Sequence, residues 1–540
     1  MTQAPARPRD AHTTDPPASH TTGLYDGCTV GHLIVRAIER GGERVAFVHG
    51  ERTITYRQLG ERLSGLVQAL QARGLSRGDA VATLSGNRPE AFVAGSAANL
   101  MGLRATAMHP LGSEDDHAWI LQDAGITTLF VDPDGFADRA RALAARVPGL
   151  RLLSLGPGDL ADDILAEAAC FAPRPLAPQG HVDDVCGLTY TGGTSGRPKG
   201  VMSTHRVRVT MALSELAEWD WPGETRFLAM TPITHAAGAV ILPVLLRCGT
   251  VVIAQGFDPG RFFELVARHR ITMTFLVPTM IYRLLDDPGL AHADLSSLEV
   301  AVYGAAPMAP ARLAEAIRRI GPVFMQLYGQ SEAPNAITVL RRHEHDPARH
   351  PGRLASCGRP IGPIQVALLD DDGREVAAGE VGEICVRGPL VMHGYWNRPD
   401  ETAAALRHGW LHTGDLARRD AEGFLYIVDR SKDMIISGGF NVFPREVEDV
   451  LSAHPAVAAA GVIGVPDETW GEAVKAVVVL KPGAQASAAE LIALVREHKG
   501  PVHAPKSVDF VDALPVTGLG KPDKKALRAR YWGGQARAVG

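Results

Sequence analysis

The sequence is poor in cysteine. Only six of its 540 residues are cysteines, and no two of them form a CxxC pair. Metal-binding ribbons and disulfide frameworks need clustered cysteines, so neither is indicated. Scattered cysteines are typical of a reducing compartment, and we expect a cytoplasmic protein. The six are Cys28, Cys170, Cys186, Cys248, Cys357 and Cys385.

The sequence also lacks an excess of one charge and long apolar runs. It carries 55 basic and 60 acidic residues, a formal net charge of -5. This balance argues against a nucleic-acid partner. The longest apolar stretch, residues 236–246, contains Pro243 and is too short to span a bilayer. Residues 1–22 are rich in Pro, Thr, His and Ala, and we expect a disordered leader rather than a signal peptide.

Buried strands alternate with amphipathic helices over most of the chain. The clearest predicted strands are 80–84, 127–131, 271–277, 298–303 and 323–328, and the clearest helices are 279–285 and 311–320. The alternation predicts an α/β fold with parallel sheets covered by helices. Ligands in such folds lie at the carboxyl ends of strands, which favours the loops after Tyr190, Tyr303 and Tyr328.

The C-terminal part has a different pattern. Its predicted elements are a helix at 445–451, strands at 457–464 and 474–480, a helix at 488–498 and a strand at 508–510. This order predicts a separate small α+β unit. We therefore expect a leader at 1–22, a large domain at 23–430, a hinge at 431–433 and a small domain at 434–540.

The strongest motif is a glycine-rich loop at residues 190–200, YTGGTSGRPKG. Glycines let backbone N–H groups turn toward an anion, while hydroxyls and a lysine add donors and positive charge. Pro198 and Gly200 flank the lysine, so this is not the GxxxxGK[ST] loop of common NTPases. A Gly/Ser-rich surface turn is the alternative. The candidate phosphate-binding residues are Thr191, Gly192, Gly193, Thr194, Ser195, Gly196 and Lys199.

This loop resembles the nucleotide loop of the acyl-CoA synthetase, peptide-synthetase adenylation domain and firefly luciferase superfamily. Gly192 stands where that family commonly has Ser, and Ser195 where it has Thr. The resemblance continues in order from about Thr53 to Arg528. It implies a large N-terminal domain of helix-covered parallel sheets plus a small β-barrel-like element, with a smaller mobile α+β C-terminal domain.

Two central motifs extend the resemblance. The segment YGAAP at 303–307 is similar to the family's adenine-binding turn. The segment QLYGQSE at 326–332 is similar to its central motif, which implies that Tyr328 lies against adenine and Ser331 contacts the α-phosphate. Glu332 would hold Mg²⁺, because this hard ion prefers oxygen ligands.

Three later motifs complete the resemblance. Asp415, in WLHTGD, would accept hydrogen bonds from the ribose hydroxyls. Arg430 and Lys432, in DRSKD, would supply a ribose contact and the hinge. Lys521, in PVTGLGK, would be the catalytic lysine.

The resemblance thus assigns a large set of residues to three cofactors, ATP, Mg²⁺ and coenzyme A. The metal ligands would be Thr194 and Glu332, and the catalytic residues Lys521, Glu332, Ser331 and His235. The nucleotide- and coenzyme-binding residues beyond the loop would be Gly304, Ala305, Ala306, Tyr328, Gly329, Asp415, Ile427, Arg430, Lys432, Gly438, Gly439 and Phe440.

The implied reaction has two steps. A carboxylate attacks the α-phosphate of ATP and pyrophosphate leaves, so that an acyl-AMP forms through positioning and charge stabilisation. The small domain then swings about Lys432, removes Lys521 and opens a thiol channel along residues 437–440, SGGF. Glycines leave room there for a narrow pantetheine arm, although a simple loop is the alternative. The thiol of coenzyme A finally displaces AMP.

His235, in TPITHAAG, stands where the family has an aromatic gate to the acyl site, and a structural histidine is the alternative. The predicted acyl-site residues are His235, Ala236, Ala237, Gly238, Val277, Pro278, Thr279, Gly304 and Gln330. They are mostly small and apolar, and no Asp stands where amino-acid-activating relatives hold the substrate amine. We expect a neutral hydrophobic acid, whether fatty, aromatic or bulky alicyclic.

Other functions and plainer interpretations stay open at this point. A free-standing enzyme that loads an acyl carrier protein shares every nucleotide motif. A serine hydrolase is suggested by residues 329–333, GQSEA, which nearly fit GxSxG, and a non-catalytic binding protein is a third possibility. Asp415 could be a turn residue, Glu332 an acid at a helix N-terminus, and Lys521 a solvated lysine. Monomer and homodimer are both compatible with the sequence.

Overall fold

The computed structural model describes residues 27–191, 197–430, 433–437, 440–467, 470–516 and 523–532. These residues form four β-sheets, two of them mainly parallel and covered by helices. The α/β fold predicted from the alternating pattern is therefore confirmed.

The first part of the chain alternates strands and helices. Its elements are α1 (Val30–Gly41), β1 (Val45–His49), β2 (Arg52–Thr55), α2 (Tyr56–Ala72), β3 (Ala80–Leu84), α3 (Pro89–Met101), β4 (Arg104–Met108), α4 (Glu114–Asp123), β5 (Thr128–Val131), α5 (Pro133–Arg146), β6 (Arg151–Ser154), α6 (Ile164–Ala168) and β7 (Val185–Thr191).

The second part continues this alternation and then becomes strand-rich. Its elements are β8 (Lys199–Thr204), α7 (His205–Glu218), β9 (Arg226–Ala229), α8 (Ala236–Leu246), β10 (Thr250–Ile253), α9 (Pro259–His269), β11 (Met273–Leu276), α10 (Pro278–Asp286), β12 (Val300–Tyr303), α11 (Pro310–Ile320), β13 (Phe324–Gln330), β14 (Ala333–Leu340), β15 (Arg359–Pro360), β16 (Gln365–Leu369), β17 (Gly382–Arg387), β18 (Gly394–Tyr395), α12 (Pro399–Ala405), β19 (Leu411–Arg419) and β20 (Leu425–Arg430).

The last part of the chain is shorter and contains both strands and helices. Its elements are β21 (Ile435–Ser437), β22 (Phe440–Val442), α13 (Pro444–Ser452), β23 (Val457–Asp467), β24 (Gly471–Leu480), α14 (Ala488–Lys499), β25 (Ser507–Phe510) and α15 (Lys524–Tyr531).

A seven-stranded sheet carries the glycine-rich loop. Its strand order is β18-β8-β7-β4-β3-β5-β6. The strands from β7 to β6 run parallel, whereas β8 is antiparallel to both β7 and β18. The short strand β18 therefore lies beside β8, although some 190 residues separate them in sequence. The loop opens at the carboxyl end of β7, as predicted from the general rule for such folds.

A nine-stranded sheet carries the central motif. Its order is β15-β14-β13-β12-β11-β9-β10-β1-β2. The strands from β13 to β1 are parallel, and β14 turns back against β13 as a hairpin. We expected the strand to end at Tyr328, but β13 continues to Gln330 through a register shift. The central motif is therefore the tip of a β-hairpin.

Two smaller sheets follow. The strands β16, β17, β19 and β20 form an antiparallel sheet, which stands where a barrel-like element was expected. The strands β21 to β25 form a five-stranded sheet in the order β22-β21-β24-β23, and β25 pairs parallel to β24. The chain passes from the four-stranded sheet to the last sheet between Arg430, which ends β20, and Ile435, which begins β21. The domain boundary at 431–433 stays a prediction, and residues 431 and 432 lie outside the described residues.

The apolar stretch that opens with residue 236 forms the buried helix α8. Its residues Val240, Ile241 and Val244 are at most 1% exposed, and the helix packs against α1 and α7. Pro243 lies inside the helix. Among the helices of the described residues, none is long and apolar enough to cross a bilayer.

A buried carboxyl group lies within this core. Glu215, on α7, is 0% exposed, and its Oε1 accepts a hydrogen bond from Asn335 Nδ2 at 3.1 Å. Within the described residues its Oε2 has no hydrogen-bond partner. Burial raises the pKa of Glu215 to about 8. The folded protein therefore binds a proton here that the unfolded chain has already lost at neutral pH.

This proton makes stability depend on pH. The unfolded carboxyl titrates near its ordinary value and the folded one near 8, so the free energy of unfolding falls as pH rises between them, by up to about 1.4 kcal/mol per pH unit. We expect Glu215→Gln, which is neutral at every pH, to gain stability relative to the wild type as pH rises from 5.5 to 8. Denaturant unfolding at several pH values measures this, with exposed Glu497→Gln as the control. Parallel pH profiles for wild type and Glu215→Gln would contradict the assignment.

Candidate active site

The segments that flank the glycine-rich loop, residues 190–191 and 197–199, lie opposite each other, and we call them the two shoulders of the loop. Thr191, the last residue of β7, pairs with Lys199, the first residue of β8. This register closes the loop at its base, so that its ends are held a strand spacing apart. Residues 192–196 between them lie outside the described residues, and their predicted phosphate contacts stay predictions.

Helix α4 anchors both shoulders. The Tyr190 hydroxyl donates to Asp123 Oδ2 at 2.7 Å, and Trp119 Nε1 donates to the carbonyl of Pro198 at 3.1 Å. The Arg197 guanidinium lies 4.4 Å from the Trp119 ring centroid. Burial raises the pKa of Tyr190, so its hydroxyl stays protonated and donates. None of the α4 contacts was predicted, because no motif marks them.

Lys199 has two neighbours outside the loop. Its ammonium forms an ion pair with Glu401 of α12 and lies 5.3 Å from the ring centroid of Tyr395. The lysine side chain is 25% exposed. Glu401 and Tyr395 therefore position the lysine charge beside the loop, and the sequence motif predicted neither of these two partners.

The hairpin tip between β13 and β14 presents the central motif. The Tyr395 hydroxyl donates to Glu332 Oε1 at 2.8 Å, and the Met392 N–H donates to the Glu332 carbonyl at 2.8 Å. Glu332 lies in the hairpin turn, so its interpretation as an acid at a helix N-terminus is wrong. A nucleophile elbow would need a helix after Ser331, but β14 follows, so the hydrolase interpretation loses its structural basis.

Gly329 is required by this hairpin. A Cβ at this position would lie 2.5 Å from the backbone nitrogen of Asn335. Asn335 itself has a φ of +55°, the left-handed region that Asn tolerates better than most residues. The backbone around the bulge between Tyr328 and Gln330 therefore depends on Gly329, which lacks a Cβ, and on Asn335, which tolerates a positive φ.

Asp415 lies within strand β19 and is 5% exposed. Its Oδ2 accepts a hydrogen bond from the Tyr328 hydroxyl at 2.7 Å, and its N–H donates to Thr413 Oγ1 at 3.1 Å. The preceding Gly414 has a φ of +74°, and its N–H donates to Glu383 Oε1 at 2.7 Å. The interpretation of Asp415 as a turn residue is therefore wrong, and the structure joins it directly to the predicted adenine-binding tyrosine.

The predicted adenine turn follows β12. A Cβ at Gly304 would lie 2.7 Å from the carbonyl oxygen of Leu327 on β13, so this segment packs closely on the central motif. Ala305 has a φ of +67°, which is strained for a residue with a Cβ. Such strain is typical of functional turns, and the binding role of residues 304–306 stays a prediction.

The predicted ribose and coenzyme segments are described in part. Ile427 lies on β20, and the backbone of Arg430 pairs with Asp415. Phe440 opens β22, opposite Ser437, and is 60% exposed. The predicted site residues outside the described residues are Gly192, Gly193, Thr194, Ser195, Gly196, Lys432, Gly438, Gly439 and Lys521.

His235 begins the predicted acyl region. It precedes the first turn of α8, and its Nδ1 lies 2.9 Å from Thr234 Oγ1. The ring meets that of His109 edge-on, with centroids 4.6 Å apart. His109 follows β4, and burial lowers its pKa. Sequence reasoning missed His109, although its place after a parallel strand was a usable signal.

The remaining acyl-site residues lie at the starts of two helices. Ala237 is 1% exposed in α8, while Val277 caps α10 and Thr279 lies in its first turn. Ala237, Val277 and Tyr328 pack in one apolar cluster. Gln330 ends β13 opposite Ala333. The role of these residues in an acyl site stays a prediction, and the side chain of Ala236 lies outside the described residues.

Comparison with known proteins places this geometry in a family. Residues 34–396 match the AMP-binding enzyme family, and residues 446–521 match the AMP-binding enzyme C-terminal domain. The chain belongs to the AMP-binding enzymes, which confirms the resemblance seen in the motifs.

Individual relatives narrow the class. A medium/long-chain-fatty-acid–CoA ligase of Mycobacterium tuberculosis (strain ATCC 25618 / H37Rv) is 52% identical, covering 94% of this chain and 91% of its own. A feruloyl-CoA synthase of Amycolatopsis sp is 41% identical, covering 93% and 99%. The solved amide bond synthetase of Marinactinospora thermotolerans is 35% identical with a TM-score of 0.86, covering 93% and 100%. This chain is an AMP-forming acid–CoA ligase that uses ATP, Mg²⁺ and coenzyme A, as predicted.

The close fit at Gly238 gives a test of the acyl region. A Cβ there would lie 1.7 Å from the carbonyl oxygen of Ile233, so any side chain forces the turn before α8 to move. We expect Gly238→Ala to lower the free energy of unfolding by about 1–3 kcal/mol, as overpacking does, and to impair acyl-AMP formation.

Thermal unfolding and pyrophosphate release measure these two effects. The matched control is Gly95→Ala in α3, where a Cβ meets no atom within 4 Å. Because Ala is the better helix former, this control should be neutral or slightly stabilising. Wild-type stability and activity in Gly238→Ala would show that the turn is not constrained as described.

Proposed function

We propose that this protein activates a hydrophobic carboxylic acid, whether fatty, aromatic or bulky alicyclic, and transfers it to coenzyme A. The observation that carries the proposal is the connected arrangement of Lys199, Tyr395 and Glu332 beside the Tyr328–Asp415 pair. It supplies a cation, a metal-binding carboxylate and a nucleoside contact around one loop. An acyl-AMP is formed by a site with these three capacities.

The residues of the loop and hairpin divide the first step between them. Lys199 and the backbone of the loop bind the leaving pyrophosphate, and Ser331 contacts the α-phosphate. Tyr328 lies against the adenine and Asp415 accepts hydrogen bonds from the ribose hydroxyls. With the nucleotide fixed, the substrate carboxylate attacks the α-phosphate in line with the departing pyrophosphate.

The carboxylate of Glu332 fits Mg²⁺, because it is an oxygen donor beside the phosphate loop and a tyrosine hydroxyl already orients it. We assign the metal to Glu332 together with Thr194. Bound there, Mg²⁺ supplies positive charge that offsets the charge developing on the phosphate oxygens.

Lys521 contacts the attacking carboxylate and the α-phosphate in the first step. Rotation of the small domain about Lys432 then withdraws Lys521 and brings residues 437–440 to the acyl-AMP. The thiol of coenzyme A attacks the acyl carbon and its proton passes to solvent, while the bond between the acyl carbon and the phosphate oxygen breaks and AMP leaves. Glycine at positions 438 and 439 of this segment would leave room for the pantetheine arm, because neither residue carries a side chain.

The acid is assigned from the small apolar residues around His235 and from the relatives. Ala237, Gly238 and Val277 present no charged group. One relative is named for medium- and long-chain fatty acids and another for feruloyl-CoA, and both names support a hydrophobic substrate. Loading of an acyl carrier protein is the alternative for the second step, and monomer and homodimer remain alternatives for the assembly.

A reconstitution identifies both substrate and acceptor. The purified protein is incubated with ATP, Mg²⁺ and a panel of octanoic, palmitic, ferulic and benzoic acids, with and without coenzyme A. We expect AMP, pyrophosphate and an acyl-CoA of the correct mass from the fatty or aryl members. Acyl-AMP without acyl-CoA, together with acylation of a supplied carrier protein, would replace coenzyme A as the acceptor. No acyl-AMP from any acid would refute the proposed site.

Lys521 separates the two steps. We expect Lys521→Ala to lower acyl-AMP formation from acid and ATP by at least a hundredfold, because one charged contact in the transition state is lost. Attack of coenzyme A on supplied acyl-AMP should change less than threefold. Exposed Lys525→Ala, which removes the same charge four residues away, is the matched control. Equal losses in both half-reactions would contradict the alternation of the two domains.

A further inference from the structure

The two-residue strand β18 brings Tyr395 to the phosphate loop. Tyr395 pairs with Val201 on β8, and Lys199 lies two residues before Val201 on the same strand. Directly opposed residues, and residues two apart on one strand, point to the same face of a sheet. Tyr395 and Lys199 are therefore diagonal neighbours, which explains the 5.3 Å from the ammonium to the ring centroid.

The same segment holds the hairpin tip. The Tyr395 hydroxyl donates to Glu332 Oε1 at 2.8 Å, and the N–H of Met392 donates to the Glu332 carbonyl at 2.8 Å. One side-chain bond and one backbone bond therefore reach the same residue from residues 392–395. They fix both the position of Glu332 and the direction of its carboxylate.

Helix α12 fixes the other end of the arrangement. The Tyr395 N–H donates to Thr402 Oγ1 at 2.9 Å, and the adjacent Glu401 forms the ion pair with Lys199. Glu401 is also 3.8 Å from the guanidinium of Arg398. The Tyr395 ring thus lies between Lys199 and Glu332. Glu401 orients the lysine through the ion pair, and the Tyr395 hydroxyl orients the carboxylate of Glu332.

We propose that Tyr395 is a positioning residue that sets the distance between the metal-binding carboxylate of Glu332 and the ammonium of Lys199. By occupying Oε1, the hydroxyl turns the carboxylate so that its other oxygen serves the metal. The ring face supports the ammonium through a cation–π contact while Glu401 gives way to the pyrophosphate. This inference rests on the proposed function, because it assigns Glu332 and Lys199 their roles.

The test measures ATP binding rather than turnover. ATP affinity is determined by calorimetry without acid, once with Mg²⁺ and once with EDTA, and the ratio of the two affinities is the metal's contribution. We expect Tyr395→Phe to lower this ratio roughly tenfold, as expected for a lost hydrogen bond to a charged group. Affinity in EDTA should change less than twofold, because the ring under Lys199 remains.

Two further variants sharpen the result. Tyr395→Leu also removes the ring, and it is expected to weaken ATP binding in EDTA about threefold as well, since an exposed cation–π contact is lost. In a Glu332→Gln background, Tyr395→Phe should have no further effect on the ratio, because the two residues act as one unit. The control is Tyr426→Phe, which removes a hydroxyl–carboxylate bond to Asp420 outside the site.

Two outcomes overturn the proposal. One is an unchanged ratio in Tyr395→Phe, whether the affinity is kept or is lost equally with and without Mg²⁺, and the other is additive effects with Glu332→Gln. Thermal unfolding of each variant shows whether a loss comes from the fold, and a lower melting temperature with an unchanged ratio also counts against it. Failure of the proposed function itself is visible beforehand, because the wild type would then show no Mg²⁺-dependent ATP binding.

Discussion

Hydrogen bonds from tyrosine hydroxyls to carboxylates hold the site together. Tyr190 donates to Asp123, Tyr328 to Asp415 and Tyr395 to Glu332, all at 2.7–2.8 Å. A phenol donates a proton but carries no charge of its own. It therefore fixes the direction of a carboxylate without adding a positive charge beside it. Asp123 also forms an ion pair with Arg398 at 3.2 Å, so its bond to Tyr190 has an anchoring role, whereas Glu332 and Asp415 are the acids that we assign to Mg²⁺ and to the ribose.

Two of these bonds join different sheets. Tyr328 belongs to the nine-stranded sheet and Asp415 to the four-stranded sheet, whereas Tyr395 belongs to the seven-stranded sheet. Glu332, at the hairpin tip of the nine-stranded sheet, receives its bond across a sheet boundary. The nucleotide site is thus a property of how three sheets pack. Its geometry depends on their cores as much as on the motif residues themselves.

Local pattern predicted the parallel strands well, and it predicted the contacts between distant segments poorly. Strand β3 was predicted at its observed bounds, and the other seven strands that were given bounds were predicted within three residues, because apolar runs of that length are strands in such folds. The hairpin of β13 and β14 was missed, since its two turn residues, Ser331 and Glu332, are not the Asn-Gly pair that marks a hairpin in a sequence. Tyr395 and Asp123 lie far from the loop in sequence, and spacing carries no information about such pairs.

The two anchors on helix α4 have a consequence for how the sequence can change. Trp119 and Asp123 are four residues apart, so they lie on the same helix face about one turn from each other. Each holds one shoulder of the glycine-rich loop. Insertion or deletion of a single residue between them would rotate one anchor by about 100° relative to the other, because a helix has 3.6 residues per turn. A change of chain length between Trp119 and Asp123 would therefore separate the loop from one of its two anchors.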